Sequence, residues 1–388
     1  MKVLLLSAYA AHSHVHWQRS LIAMFPDWQW QTLSLPPRYF SWRVRGNPLY
    51  WSLAERENLE RDYDLLVATS MVDLATLRGL VPALARLPSL LYFHENQFDY
   101  PQRDEQGSLL EAQMVSLYSA LAADELAFNS AYNRDTFLAG VDALLRKLPD
   151  RVPAGIVAVL AGKAVVLPVP IVTDDEGIDR QYWPDSGCRA ETAQGSGGSG
   201  NRTAPEARPL RVVWSGRFEH DKGAETLWHA LWEMERRGLA YELALTGPQF
   251  RKAPAVFARI ENDFSHRLVH FGYLESVTDY RALLRAADVV LSTARHEFQG
   301  LAVLEAVAAG CLPVVPDRQA YPEIYPPCFR YPSTPHDPAL EGVAAAELLI
   351  RLARSPGAEV PPDVSAFSLA QLQASYGRRL LGLAGRAG

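Results

Sequence analysis

Cysteine is scarce in this chain. Cys188, Cys311 and Cys328 are its only three, none forms a CxxC pair, and any disulfide scheme leaves one over. That excludes a disulfide-stapled scaffold and points to a reducing, cytoplasmic setting. Long apolar runs are also missing: no stretch approaches the ~20 residues a membrane helix needs. Lys2 precedes an apolar run ending in Ala8-Tyr9-Ala10, but the run is too short for a signal peptide and reads as a first buried strand. No membrane partner is therefore expected. Positive charge is not in excess either, the formal net charge being −6. A protein that coats nucleic acid nonspecifically is excluded, although a local basic patch is not. No short-period repeat is present.

What remains is ordinary globular material, 48% hydrophobic and 21% charged, in a chain of 388 residues. That length suits two α/β cores better than one. Apolar runs at 2–9, 28–35, 64–70, 89–94, 125–130 and 164–168 alternate with helical patterns at 17–25, 72–86, 108–123 and 132–148. A second series places strands at 210–217, 241–247, 267–273, 288–294 and 311–315, with helices at 225–237, 253–263, 278–286 and 301–309. Continuous apolar strands alternating with helices predict parallel sheets covered on both faces. Between the series, the acidic and Gly/Ser-rich stretch 173–209 reads as a flexible linker or insertion. The expected layout is an N-terminal Rossmann-like domain over 1–172, a second over 210–365, and a terminal helix in 366–388 that packs back on the first. Ligands in such folds bind beyond the carboxyl ends of the strands, here in a central cleft.

The second half carries the stronger motifs. In His296-Glu297-Phe298-Gln299-Gly300-Leu301-Ala302-Val303-Leu304-Glu305-Ala306 two carboxylates stand eight residues apart. Glu305 falls on a helix and Glu297 in the loop before its N-terminus, where free N–H groups favour a diphosphate. The turn Gly216-Arg217-Phe218-Glu219-His220-Asp221-Lys222-Gly223 adds a guanidinium fork and a point charge, Arg217 and Lys222, able to neutralise a diphosphate without metal. Together these residues resemble the retaining nucleotide-sugar transferases of the GT-B fold, in particular the large family 4 group. The resemblance implies that Glu305 holds the nucleotide ribose, Glu297 lies against the donor sugar, and Arg217 and Lys222 stabilise the leaving diphosphate. It also implies donor contacts from Gly216, Phe298, Gly300 and Leu301, and places the base near Gly247, Gly272 and Tyr273.

In the first half, His12, His14 and His16 alternate, without nearby Cys, Asp or Glu to complete a zinc site. Asp62-Tyr63-Asp64 matches the Asp-x-Asp signature of metal-dependent transferases but stands just before a strand, so it reads as turn residues. No metal or other cofactor is expected. Tyr92-Phe93-His94-Glu95-Asn96-Gln97 ends a buried strand and should project His94 and Glu95 toward ligand. The stretch 36–51 interleaves Arg38, Arg43 and Arg45 with aromatics such as Trp42, which suits phosphates and unstacked bases. These motifs, with Ser13-His14 and Phe128-Asn129-Ser130, resemble the tRNA-queuosine mannosyltransferase family. The resemblance implies mannose transfer from GDP-mannose to queuosine in the anticodon of aspartate tRNA. Ser13, His14, Arg38, Trp42, Arg43, Arg45, Glu95, Asn96, Gln97 and Asn129 would then meet the acceptor, and His94 would orient the sugar. A transferase acting on a glycan or lipid, and a nucleotide-sugar-binding protein without turnover, remain the alternatives.

Overall fold

The computed structural model describes residues 1–99, 109–172, 183–184, 208–249 and 253–385. Cys188 lies outside them, as does the expected linker 173–209 apart from Trp183, Pro184, Arg208 and Pro209. The chain forms two compact units, Met1–Ile171 with Ser365–Gly388, and Val172–Val364.

The first unit holds a six-stranded sheet of order β2-β1-β3-β4-β5-β6. Its strands are β1 (Lys2–Ser7), β2 (Gln29–Ser34), β3 (Leu65–Thr69), β4 (Ser89–Phe93), β5 (Glu125–Phe128) and β6 (Ala164–Val166), all paired in parallel. Val3, Leu4, Leu5 and Leu6 are fully buried, as continuous apolar strands between two helical layers require. The last helix of the chain, Leu369–Ala384, packs in this unit. There the buried Tyr376 hydroxyl accepts from Trp17 Nε1 at 3.0 Å and donates to Pro168 O at 3.0 Å.

Two helices of this unit depart from the sequence pattern. His12–Met24 begins five residues earlier than expected, so the histidines lie on a helix and not in a loop. Residues two apart on a helix diverge by roughly 200°, which turns His14 away from His12 and His16, themselves four apart on one face. The second departure is Phe40–Ala54, a helix in the stretch 36–51 for which no element was expected, despite Gly46 and Pro48 inside it. Proline removes the N–H that would bind the carbonyl four residues back. Here the Asn47 side-chain amide substitutes, donating to Val44 O at 2.9 Å and Arg43 O at 2.7 Å, and it also reaches Met71 O at 3.2 Å. Pro82 explains a smaller difference. The pattern over 72–86 splits into an α-helix, Leu74–Leu80, and a 3₁₀ turn, Pro82–Arg86.

The second unit repeats the architecture in the order β12-β11-β10-β7-β8-β9. Its strands are β7 (Leu210–Ser215), β8 (Tyr241–Thr246), β9 (Leu268–Gly272), β10 (Val289–Leu291), β11 (Leu312–Pro316) and β12 (Arg330–Tyr331). All pairings are parallel. β10 is shorter than the expected strand, although Ser292 N–H still donates to Val314 O at 2.9 Å. Ser292 Oγ meets Tyr321 Oη at 2.6 Å, and Thr293 Oγ1 donates to Lys222 O at 2.9 Å. The sheet reverses its winding between β7 and β10, the position at which open α/β sheets bind ligands. The buried Trp183 docks on this unit, donating to Glu242 Oε2 at 2.6 Å.

Candidate active site

In the second unit the motif residues gather beyond the carboxyl ends of β7, β8, β9 and β10. Gly216 and Gly247 leave adjacent strands, and a β-carbon on Gly247 would sit 1.9 Å from Gly216 O, so only glycine permits this approach. Gly247 N–H donates to Gly272 O at 3.0 Å, and Tyr273 beyond it is exposed. The helix Leu301–Ala308 starts at Gly300, whose φ of 80° suits glycine and whose missing side chain leaves room for the Tyr321 ring. Leu301 opens that helix half-buried, whereas Phe298 is buried against the edge of His296. Phe298 thus supports the loop from inside.

The charged groups form one cluster. Lys222 Nζ lies 2.8 Å from Glu297 Oε2 and 3.6 Å from Asp221 Oδ2. Arg217 lies 3.0 Å from Glu219 and 3.4 Å from Asp221. Burial disfavours the Lys222 charge, but Glu297 and Asp221 outweigh it and raise the ammonium above the ordinary lysine value. Burial likewise pushes the Glu297 carboxyl up. Lys222 and a hydrogen bond from the Gly300 backbone overcome that and hold it below the usual carboxylate range. Both groups are therefore charged near neutrality. Glu305 projects half-buried from the helix and accepts from Tyr280 Oη at 3.2 Å, while that hydroxyl lies 3.1 Å from Ser215 Oγ. Burial and the Glu305 charge push the Tyr280 phenol far up, so it stays a neutral donor.

In the first unit a second cluster follows β4. His94 is 5% exposed and stacks on His14 with ring centroids 4.0 Å apart, flanked by Trp17 and Tyr92. Burial first, then the neighbouring His14 and His16, push its pKa well below the ordinary histidine value. The ring is neutral, and its buried Nε2 has no hydrogen-bond partner among the described residues. His14 Nε2 lies 3.3 Å from Glu95 Oε2, and His16 Nε2 lies 2.7 Å from Pro170 O. Ser13 is half-buried in the first turn of the same helix.

Several residues expected to meet an acceptor are instead engaged in the fold. The buried Asn96 amide donates to Asn133 Oδ1 at 2.9 Å and Thr136 Oγ1 at 3.0 Å, and its oxygen accepts from the Phe98 and Asp99 amides. Asn129 donates to His94 O at 2.8 Å and accepts from Asn133. Gln97 is buried beside Met71. These three shape the loop that carries His94 and Glu95. Arg45 is also not a free cation, lying 2.6 Å from Asp73 and 3.3 Å from Glu111. Arg38 and Trp42 remain exposed, and Arg43 is half-buried. Asp64 accepts from the Lys2 backbone N–H at 2.7 Å, a contact between the starts of β3 and β1.

Tyr280, Asp221 and Gln319 belong to this second-unit cluster, and neither Tyr280 nor Gln319 carried a local signal in the sequence. Only Asp221 could have been found, because Glu219 and Asp221 interrupt the cationic motif in alternation.

Residues 2–171 match the family described as tRNA-queuosine alpha-mannosyltransferase N-terminal, and residues 209–327 match glycosyl transferases group 1. A tRNA-queuosine alpha-mannosyltransferase of Drosophila melanogaster is 32% identical over 325 residues, 84% of this chain and 81% of the relative. Among solved structures, an α,α-trehalose-phosphate synthase from Burkholderia xenovorans superposes with a TM-score of 0.63 at 13% identity, covering 98% of this chain and all of that one. A sucrose-phosphate synthase from Thermosynechococcus elongatus gives 0.62 at 16% identity, over 100% and 97% of the two chains. At such identities the likeness establishes the fold, GT-B with two Rossmann-like parallel sheets. Among the described residues no helix is long and apolar enough to cross a membrane.

Proposed function

The chain belongs to the tRNA-queuosine alpha-mannosyltransferase family, and from that premise we propose that it transfers mannose from GDP-mannose to queuosine in the anticodon of aspartate tRNA, in the cytoplasm and without a metal. The observation that carries the chemistry is the convergence of Arg217, Lys222 and the N-terminus of the helix Leu301–Ala308 around the Glu297 loop. Two cations and a helix terminus supply the charge stabilisation that a diphosphate leaving group requires. Glu305, steadied by Tyr280, is placed to accept from ribose hydroxyls, and Glu297 to accept from the sugar. In the reaction the C1–oxygen bond to GDP breaks through an oxocarbenium-like state. The acceptor oxygen bonds C1 on the same face, and its proton passes to the departing phosphate oxygen. His94, neutral and with Nε2 unsatisfied, is suited to orient a sugar hydroxyl.

The test is labelled GDP-mannose offered to tRNA with and without queuosine, in the presence of excess EDTA. Label should enter only the queuosine-bearing tRNA and be indifferent to chelation. Equal labelling of both tRNAs overturns the acceptor. A strict requirement for Mg²⁺ or Mn²⁺ overturns the metal-free reading.

A further inference from the structure

Gln319 stands in the loop leaving β11 with a φ of 57°, in the left-handed region that side-chain-bearing residues rarely adopt. Its amide is used at both ends, on three consecutive residues of the loop that presents Glu297. Oε1 accepts from Glu297 N–H at 2.7 Å. Nε2 donates to Arg295 O at 3.0 Å and lies 3.2 Å from His296 Nδ1. On its other side the same loop is fixed by the Asp221 carbonyl, which accepts from the Arg295 and His296 amides at 2.8 and 3.3 Å. The loop is therefore held between the turn that bears Lys222 and the side chain of Gln319.

We propose that Gln319 is a positioning residue for glycosyl transfer: it fixes the backbone of Glu297, and through it the carboxylate that meets the donor sugar. The inference rests on the reading of Glu297 as sugar-facing. An unfavourable backbone conformation persists where surrounding contacts over-determine it, and such positions gather at functional loops. The neighbouring Arg318 should keep the loop in place when this amide is lost. Its guanidinium donates to Ala294 O at 2.6 Å and pairs with the fully buried Glu341 at 2.5 Å. The base of the loop thus has its own anchor, and only the segment carrying Glu297 depends on Gln319.

Two substitutions separate the amide from the backbone. Gln319→Ala removes the amide and keeps a β-carbon, whereas Gln319→Gly removes the amide and adopts the observed φ without strain. With GDP-mannose and queuosine-bearing tRNA, both should lose kcat on the order of tenfold to a hundredfold, the effect of a small misplacement of a reacting group. Affinity for GDP alone, measured by calorimetry, should stay close to wild type, because GDP lacks the donor mannose that Glu297 would meet. Near-normal kcat in Gln319→Gly overturns the proposal, since backbone conformation alone would then suffice. A loss of GDP affinity that matches the loss of kcat also overturns it, by showing a general collapse of the donor site. Glu297→Ala is the control on the premise. Unchanged turnover there removes the sugar-facing reading itself, whereas impaired Glu297→Ala beside active Gln319→Gly sinks the role of Gln319 alone.

Discussion

At the scale of single residues, Glu305 and His94 make the most direct predictions. Glu305 is steadied by the Tyr280 hydroxyl and remains half-buried, so a ribose can reach it. Glu305→Ala should weaken GDP-mannose binding by about 1.5–3 kcal/mol, the range for a hydrogen bond to a charged group. Calorimetry that finds the affinity unchanged removes Glu305 from the site. His94 predicts a pH effect. Its folded pKa lies well below the ordinary value of 6.5, so the unfolded chain binds more protons as pH falls below that value. The full stability is therefore present above about 6.5 and is lost progressively as pH falls from there to the folded pKa. Denaturant titrations at pH 7 and pH 5.5 should show a smaller acid loss in His94→Phe than in wild type. An identical loss in both would mean that His94 does not titrate out of step with the unfolded chain.

At the scale of elements, the helix Phe40–Ala54 is where structure changed the expectation most. The arginines in and just before it look alike in sequence, but Arg45 is already neutralised by Asp73 and Glu111, which come from elsewhere in the chain. Of the three, Arg38 and Arg43 remain for phosphates. Removing an arginine that pairs with one phosphate should reduce the log–log salt slope of tRNA binding by about 0.7–0.9. Filter binding across a salt series should show that reduction in Arg38→Ala and Arg43→Ala, and none in Arg45→Ala. A reduced slope in Arg45→Ala would show that the ion pairs open to let RNA in. The helix itself was hidden because Gly46 and Pro48 are breakers by local rules, and the Asn47 amide that repairs the break acts through the fold. The motif around Glu297 and Glu305 was legible for the opposite reason. Strand, loop, glycine and helix follow one another along a short stretch of chain, so local spacing alone sets which carboxylate is in the loop and which is on the helix.

At the scale of the whole molecule, the first unit is completed by the end of the chain. The helix Leu369–Ala384 buries Tyr376 against Trp17 and Tyr92, so truncation before Ser365 should destabilise that unit selectively. Hydrogen exchange should then quicken in β3 and β4 while β7 and β8 keep their protection. Uniform acceleration would mean that the two units do not unfold separately. The sequence by itself determined that there are two parallel α/β sheets, which turn carries Lys222, and which helix carries Glu305. Those follow from periodicity and from residues near one another in the chain. Tertiary structure alone decided that Lys222 meets Glu297, that Asn96 and Asn129 serve the scaffold, and that Gln319 grips the Glu297 loop. These pairings join residues between 22 and 75 positions apart. No local pattern encodes such contacts, because they exist only once packing has brought separate loops to the carboxyl ends of their sheet.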